Sequence, residues 1–99
     1  MQWKTSGWEE IDRSGLYALL QLRAEVFVVE QDCAYQDLDG KDEAAVHVVA
    51  TEAGECVATA RVLPPGLSYP EPSIGRVVVA ASHRGTGLGR QLMGRALAA

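Results

Sequence analysis

Apolar positions change their spacing several times along the chain, and each change predicts an element. From Ser14 to Val29, Leu16, Leu19, Leu20, Val26 and Phe27 recur every three or four residues, which predicts an amphipathic helix. Asp12 or Ser14 offers an oxygen to cap its first turn. Val46–Thr51 and Cys56–Leu63 are β-rich runs joined by Glu52-Ala53-Gly54-Glu55, which predicts a hairpin with glycine in its turn. Ile74–Val79 predicts another strand, Gly87–Ala98 a second helix, and Gln2–Thr5 a short first strand. Between these, Glu30–Ala44 is polar and acidic and reads as a loop. Pro64 to Pro72 holds all 4 prolines, which neither a helix interior nor a central strand accepts. The order strand, helix, hairpin, strand, helix predicts an α+β fold, a mostly antiparallel sheet flanked by helices.

The junction of the last strand and last helix carries the most specific chemistry. Arg84-Gly85-Thr86-Gly87-Leu88-Gly89 is basic and glycine-rich. Glycines let backbone approach a phosphate, and the loop N–H groups and helix N-terminus then point at the anion. Arg84 adds a charge that does not titrate near neutrality. The nucleoside-triphosphate loop ends in Gly-Lys-Ser/Thr, and no lysine follows Lys41. The dinucleotide fingerprint G-x-G-x-x-G ends on Arg90 if begun at Gly85 and on Leu92 if begun at Gly87. Both are excluded.

Arg84, Gly87 and Gly89 do fill the Arg/Gln-x-x-Gly-x-Gly/Ala loop of the GCN5-related N-acetyltransferases (GNAT). Upstream, Leu19 to Gln31, Tyr35 to Gly40, His47, Ala60 to Leu63 and Ile74 to Val77 resemble segments of ElaA-type GNAT proteins in the same order. The resemblance implies the GNAT acyl-CoA N-acyltransferase fold and transfer of an acetyl group from acetyl-CoA to a primary amine. It implies that Arg84, Gly85, Thr86, Gly87, Leu88, Gly89 and Arg90 hold the pyrophosphate. It also implies that the backbone of Val77, Val78 and Val79 bonds the pantetheine arm and polarises the acetyl carbonyl. A complete GNAT domain continues with another strand, another helix and a final pair of strands. Here Leu88, Leu92, Met93 and Leu97 still face one way at Ala99, with no closing glycine or proline. The expectation is therefore one domain, 1–99, lacking its C-terminal part and one wall of the cofactor gap.

Acetyl transfer to an amine needs a proton acceptor, and two residues are candidates. Glu30 ends the first helix near a loop that GNAT proteins use to shape the acceptor site. His47 begins a strand and has a pKa suited to base work. The general acid is commonly a tyrosine of a later helix, so no residue here inherits that role, Tyr35 included. Arg23 interrupts the apolar helix face and calls for carboxylate partners, Asp37 or Asp39. Asp37 to Asp42 superficially suggests calcium. With Gly40 at the sixth loop position, Tyr35 would be first and Val46 twelfth, which excludes an EF-hand. His83, beside the glycine loop, reads as an exposed histidine.

Composition narrows the partners. A net charge of −4 gives no support for nucleic acid. Cys33 and Cys56 are too few for a disulfide framework or zinc site, no metal is expected, and a reducing cytoplasm suits them. The N-terminus, with Trp3, Trp8, Glu9 and Glu10, is not a signal peptide, and no apolar run reaches membrane-spanning length. The expected partner is a small-molecule or peptide amine, and a homodimer, a second chain supplying the missing strands, is the lesser alternative to a truncated chain. Two further readings compete. One is an acyl-homoserine lactone synthase, although the tryptophan usual after the first helix is missing. The other is a non-catalytic interaction module or inactive fragment, favoured by the abrupt helix end and the absent acid group.

Overall fold

Ala53 and Gly54 take φ of +52° and +81°, the left-handed pair of a two-residue hairpin turn. Around that turn the computed structural model, which describes residues 1–99, builds one antiparallel sheet. Its strands are β1 (Gln2–Gly7), β2 (Val46–Glu52), β3 (Glu55–Leu63) and β4 (Ser73–Val79), in spatial order β1-β2-β3-β4. The expected α+β architecture is observed. Three short 3₁₀ turns, Trp8–Glu10, Asp42–Ala44 and Ala81–His83, fall where the apolar periodicity is silent.

Helices α1 (Arg13–Ala24) and α2 (Leu88–Ala98) cover opposite faces. Leu88, Leu92 and Ala96 of α2 pack on Val48, Ala50, Ala58 and Ala60, where the alanines let the helix sit close to the sheet. Leu22 of α1 and Val26 just beyond it pack on Val78. The Asp12 carboxylate caps α1 by accepting the Gly15 N–H at 2.7 Å. No helix is long and apolar enough to cross a membrane.

The first helix departs from expectation. Its α-helical part stops at Ala24, and Glu25–Glu30 continues as a wider π-helical turn. The Cys33 N–H reaches back five residues to the Val28 carbonyl at 3.1 Å. Four bulky residues in a row, Val26 to Val29, crowd a regular α-turn, and the extra residue per turn re-aims the chain beyond them. Glu30 is carried round toward the glycine loop as a result.

The acidic stretch has little regular structure, as expected, but it is not a solvated strap. Asp37 and Asp42 are buried beneath it, and Arg23 is 1% exposed. Arg23 donates through Nε to Asp37 at 2.9 Å and through Nη1 to Asp42 at 2.8 Å. Asp39, the other expected partner, is held by Arg61 at 2.6 and 2.8 Å instead. Arg76 joins from β4: its Nη2 donates to the Asp37 carbonyl at 3.0 Å, and its Nε lies 2.8 Å from Asp37 Oδ1. Three arginines and three aspartates thus bolt the loop to α1, β3 and β4.

Arg76 also sits at an irregularity. Thr59 pairs with Val78 and Arg61 with Gly75, so Arg76 and Val77 together oppose Ala60. This is a β-bulge, with Arg76 at φ +50°. It bends the outer strand just before the residues that face the site.

Candidate functional site

β4 is an edge strand, so half of its backbone polar groups have no sheet partner. The Ala80 N–H donates to the Val57 carbonyl at 2.8 Å, which turns Ala80 toward β3. By strand alternation Val79 turns the other way, and its carbonyl accepts the Arg84 Nε–H at 3.0 Å. The open edge of Val77, Val78 and Val79 forms one wall of a cleft of about 320 Å³. Val26, Phe27, Glu30 and Gln31 form the opposite wall, and Arg84 closes one end.

The glycine loop lies next in the chain. Gly85 and Gly87 adopt φ of +79° and +83°, values open to glycine and strained for other residues. The Thr86 hydroxyl donates to the His83 carbonyl at 2.6 Å and pins the turn. Gly87 caps α2, and the first N–H closed within that helix is Gln91, onto the Gly87 carbonyl at 3.2 Å. The N–H groups of Gly85, Thr86 and Gly87 donate to no protein acceptor. Those of Leu88, Gly89 and Arg90 precede the first helical bond and have no acceptor within the helix. Together they leave a run of unpartnered donors at the positive end of a helix dipole. Gly89 lies against Val79, where an added Cβ would meet Cγ2 at 3.8 Å. The loop and the strand edge are therefore contiguous.

Arg84 and Glu30 meet. The guanidinium donates to both Glu30 oxygens in a two-pronged pair, at 2.7 Å through Nη2. The bond from Arg84 holds the Glu30 carboxyl below its ordinary pKa, and the same bond raises that of Arg84. Both side chains are about two-fifths exposed, so an incoming anion can compete for the guanidinium.

His47 is not brought to this place. It lies in β2, cross-strand from Arg61, two strands in from the edge and toward the opposite end of β4 from Val79. Its ring is 1% exposed and its Nε2 stands 2.9 Å from the Asp42 carbonyl. The Trp8 ring centroid is 6.3 Å away. This environment makes it part of the buried frame that carries the acidic loop. His83 is half-buried, with Nδ1 2.8 Å from the Ser82 hydroxyl and Nε2 2.6 Å from Glu52. Its carbonyl accepts the hydrogen bond from the Thr86 hydroxyl of the glycine loop.

Sequence reasoning missed Gln31 and Phe27 as cleft residues, and missed the second cavity beside the first. That larger groove, of about 850 Å³, runs between α1, the hairpin turn and Ala80–Ser82, and shares Val26 and Glu30 with the cleft. Cys56 lines it. Burial pushes the Cys56 thiol up to about 11, against a smaller lowering by a hydrogen bond from the Ala58 backbone. No group of three His, Cys, Asp or Glu side chains is arranged to hold a metal ion.

This fold is shared with known proteins. The Escherichia coli protein ElaA is 43% identical over 98% of this chain, and the chain spans 65% of that relative's length. The crystal structure of E. coli ElaA superposes with a TM-score of 0.93, covering 67% of the solved chain. An acyl-CoA N-acyltransferase from Pseudomonas aeruginosa superposes equally well, at 0.93 with 45% identity, over 98% of this chain and 68% of that one. An aminoglycoside 6′-N-acetyltransferase complexed with coenzyme A is 19% identical, with a TM-score of 0.63 over 96% of this chain and 52% of its own, and so shares the fold alone. Residues 16–99, which include the open strand edge, the glycine loop and the helix behind it, match the acetyltransferase (GNAT) family, and the chain belongs to that family.

Proposed function

We propose that the chain carries the donor half of an N-acetyltransferase site that moves an acetyl group from acetyl-CoA to a primary amine. The observation that carries this reading is the row of unpartnered N–H groups from Gly85 to Gly87, at the head of α2 and beside the open edge of β4. Such a row fits a diphosphate, and the edge of Val77–Val79 fits an extended arm laid alongside it as an added strand would be. Acetyl-CoA, when bound, supplies a thioester already activated toward amines.

The chain's own residues have separate tasks. Gly85, Thr86, Gly87, Leu88, Gly89 and Arg90 supply main-chain donors, and Arg84 supplies charge once Glu30 yields it. The Val79 N–H, turned outward with its carbonyl, is placed to polarise an acyl oxygen. Glu30 is the proton acceptor in this reading, directly or through a water, because it lines the cleft. His47 is left out of the chemistry because it is buried two strands away. The ammonium first yields a proton to Glu30 and on to solvent, and the free amine nitrogen then attacks the acyl carbon. The carbon–sulfur bond breaks, and the nitrogen's second proton passes through solvent to the departing coenzyme A thiolate. Direct transfer is favoured over a cysteine-bound acyl group, since the raised Cys56 pKa leaves little thiolate at neutral pH. A cytoplasmic setting agrees with the two free thiols.

Titration of the chain with coenzyme A, followed by calorimetry, tests the donor assignment. Binding is expected, with Gly87→Asp abolishing it by placing a carboxylate in the anion site. Binding that survives both Gly87→Asp and Arg84→Glu overturns the assignment.

A further inference from the structure

The larger groove has a character of its own. Its floor is aliphatic, built from Leu22, Val26 and Val29 on one side and Val57 and Ala80 on the other. Val29, 72% exposed, continues this aliphatic surface at the open side of the groove. The rim holds three carboxylates, Glu25, Glu30 and Glu55, and no lysine, arginine or histidine lines the groove. Glu30 is paired to Arg84, whereas Glu25 and Glu55 enter no ion pair. This contrasts with the aspartates of the buried network, each of which has at least one arginine partner. A volume of about 850 Å³ is that of a small-molecule site.

From this we infer that the groove takes a small primary amine with an aliphatic or aromatic body, the ammonium at the Glu25 and Glu55 rim and the body on the Leu22–Val57 floor. The charge complementarity selects a cation over an anion or a neutral chain. The apolar floor selects one charge on a hydrophobic body over a polyamine, whose charges would each have to leave water against aliphatic wall. Because Val26 and Glu30 line both cavities, the groove opens beside the β4 edge. Its role as the acceptor's entrance rests on the acetyltransferase reading, whereas the preference for such amines stands without it.

The test uses the 99-residue chain labelled with ¹⁵N, hexylamine as probe, and hexanoate and spermidine as comparators. Hexylamine is expected to shift the amides of Gly54, Glu55, Val57 and Ala80, with little effect from hexanoate and weaker binding by spermidine. The double variant Glu25→Gln/Glu55→Gln, altered only at exposed side chains, is expected to keep its fold, as its spectrum reports, and to bind hexylamine about 3- to 10-fold more weakly. Shifts located elsewhere overturn the inference. So do equal binding of hexanoate, tighter binding of spermidine, or an unaltered affinity in the double variant. Coenzyme A titrated into the same samples reads out at Gly85 to Leu88. Its failure alone overturns the donor assignment and leaves the amine preference standing.

Discussion

Arg84 and Glu30, 54 positions apart in sequence, close a two-pronged ion pair across the mouth of the cleft that the β4 edge lines. The charge expected to meet a diphosphate is thus already engaged by a carboxylate, and the two candidate site residues compete for each other. Glu30→Gln removes that competitor while keeping the side chain's shape. Its coenzyme A Kd is expected to fall below that of the unaltered chain, measured by calorimetry at fixed salt because exposed charges are screened. Where the complete site turns over, the same variant is expected to acetylate amines more slowly. A Kd that rises would mean that Glu30 helps to hold the donor rather than opposing it.

The buried network makes stability depend on acid. The bond from Arg61 is the main cause holding Asp39 well below the ordinary carboxylate value of 3.8. At Asp42 burial pushes upward, and the bonds from Arg23 and Arg61 outweigh it, so that the net shift is also downward. A carboxyl more acidic in the folded chain than in the unfolded one stabilises the fold above the unfolded pKa. That contribution is lost as pH falls through the unfolded value toward the folded one. Urea midpoints are therefore expected to stay level from about pH 7 to 5 and to drop below about pH 4. At pH 7, Asp42→Ala is expected to cost about 3–5 kcal/mol, because it strips the buried Arg23 of one partner. Asp39→Ala, at a quarter-exposed side chain, should cost on the order of 1 kcal/mol. Equal losses in the two variants would refute this ranking.

Much of this fold is local in origin and was legible for that reason. Val46–Leu63 alternates and turns on Ala53-Gly54, Asp12 caps α1, and Gly85 and Gly87 sit where positive φ is needed. The conformation of the glycine loop was legible on the same grounds, since glycine spacing records where the backbone takes positive φ. The features that escaped depended on contacts distant in sequence. The Arg23–Asp37 pair was legible, but the part that Asp42, Arg61 and Arg76 take in the same network was not, because these come from a loop and two different strands. The break at Ala24 precedes a crowded valine run that helical periodicity does not register. His47 and Glu30 looked equally able to accept a proton, since both are titratable and end or begin an element. Only the strand order separates them, placing one inside the sheet and the other at its edge.

The two thiols should react at different rates. Cys33 is exposed, whereas Cys56 is partly buried at the groove with its pKa raised to about 11. The thiolate is the reacting form, so iodoacetamide at pH 8 is expected to label Cys33 first and Cys56 only slowly, as peptide mass mapping would report. Urea should abolish the difference. Cys56→Ala is expected to leave amine acetylation unchanged in the complete site, and loss of activity there would reopen the case for a thioester on the protein.

Arg76 sets two requirements against each other. Its backbone takes φ +50° at the bulge, which an L-residue adopts at a cost of roughly 1–2 kcal/mol. Its guanidinium reaches the Asp37 carbonyl and Asp39 and lies 5.6 Å from the Tyr35 ring centroid. Arg76→Ala keeps the strained backbone and discards the contacts, while Arg76→Gly discards both. The glycine variant is therefore expected to be the more stable of the two by about 1 kcal/mol, although neither should match the arginine. Both remove the guanidinium, so both should weaken the hold of the acidic loop on β4. Coenzyme A binding then separates the backbone from the side chain. If the bulge geometry is what turns the Val77–Val79 edge outward, the glycine variant keeps more affinity than the alanine variant. Denaturant titration of the pair, with calorimetry on the same samples, reads both quantities. An alanine variant as stable as the glycine variant would show that the bulge is not maintained against strain.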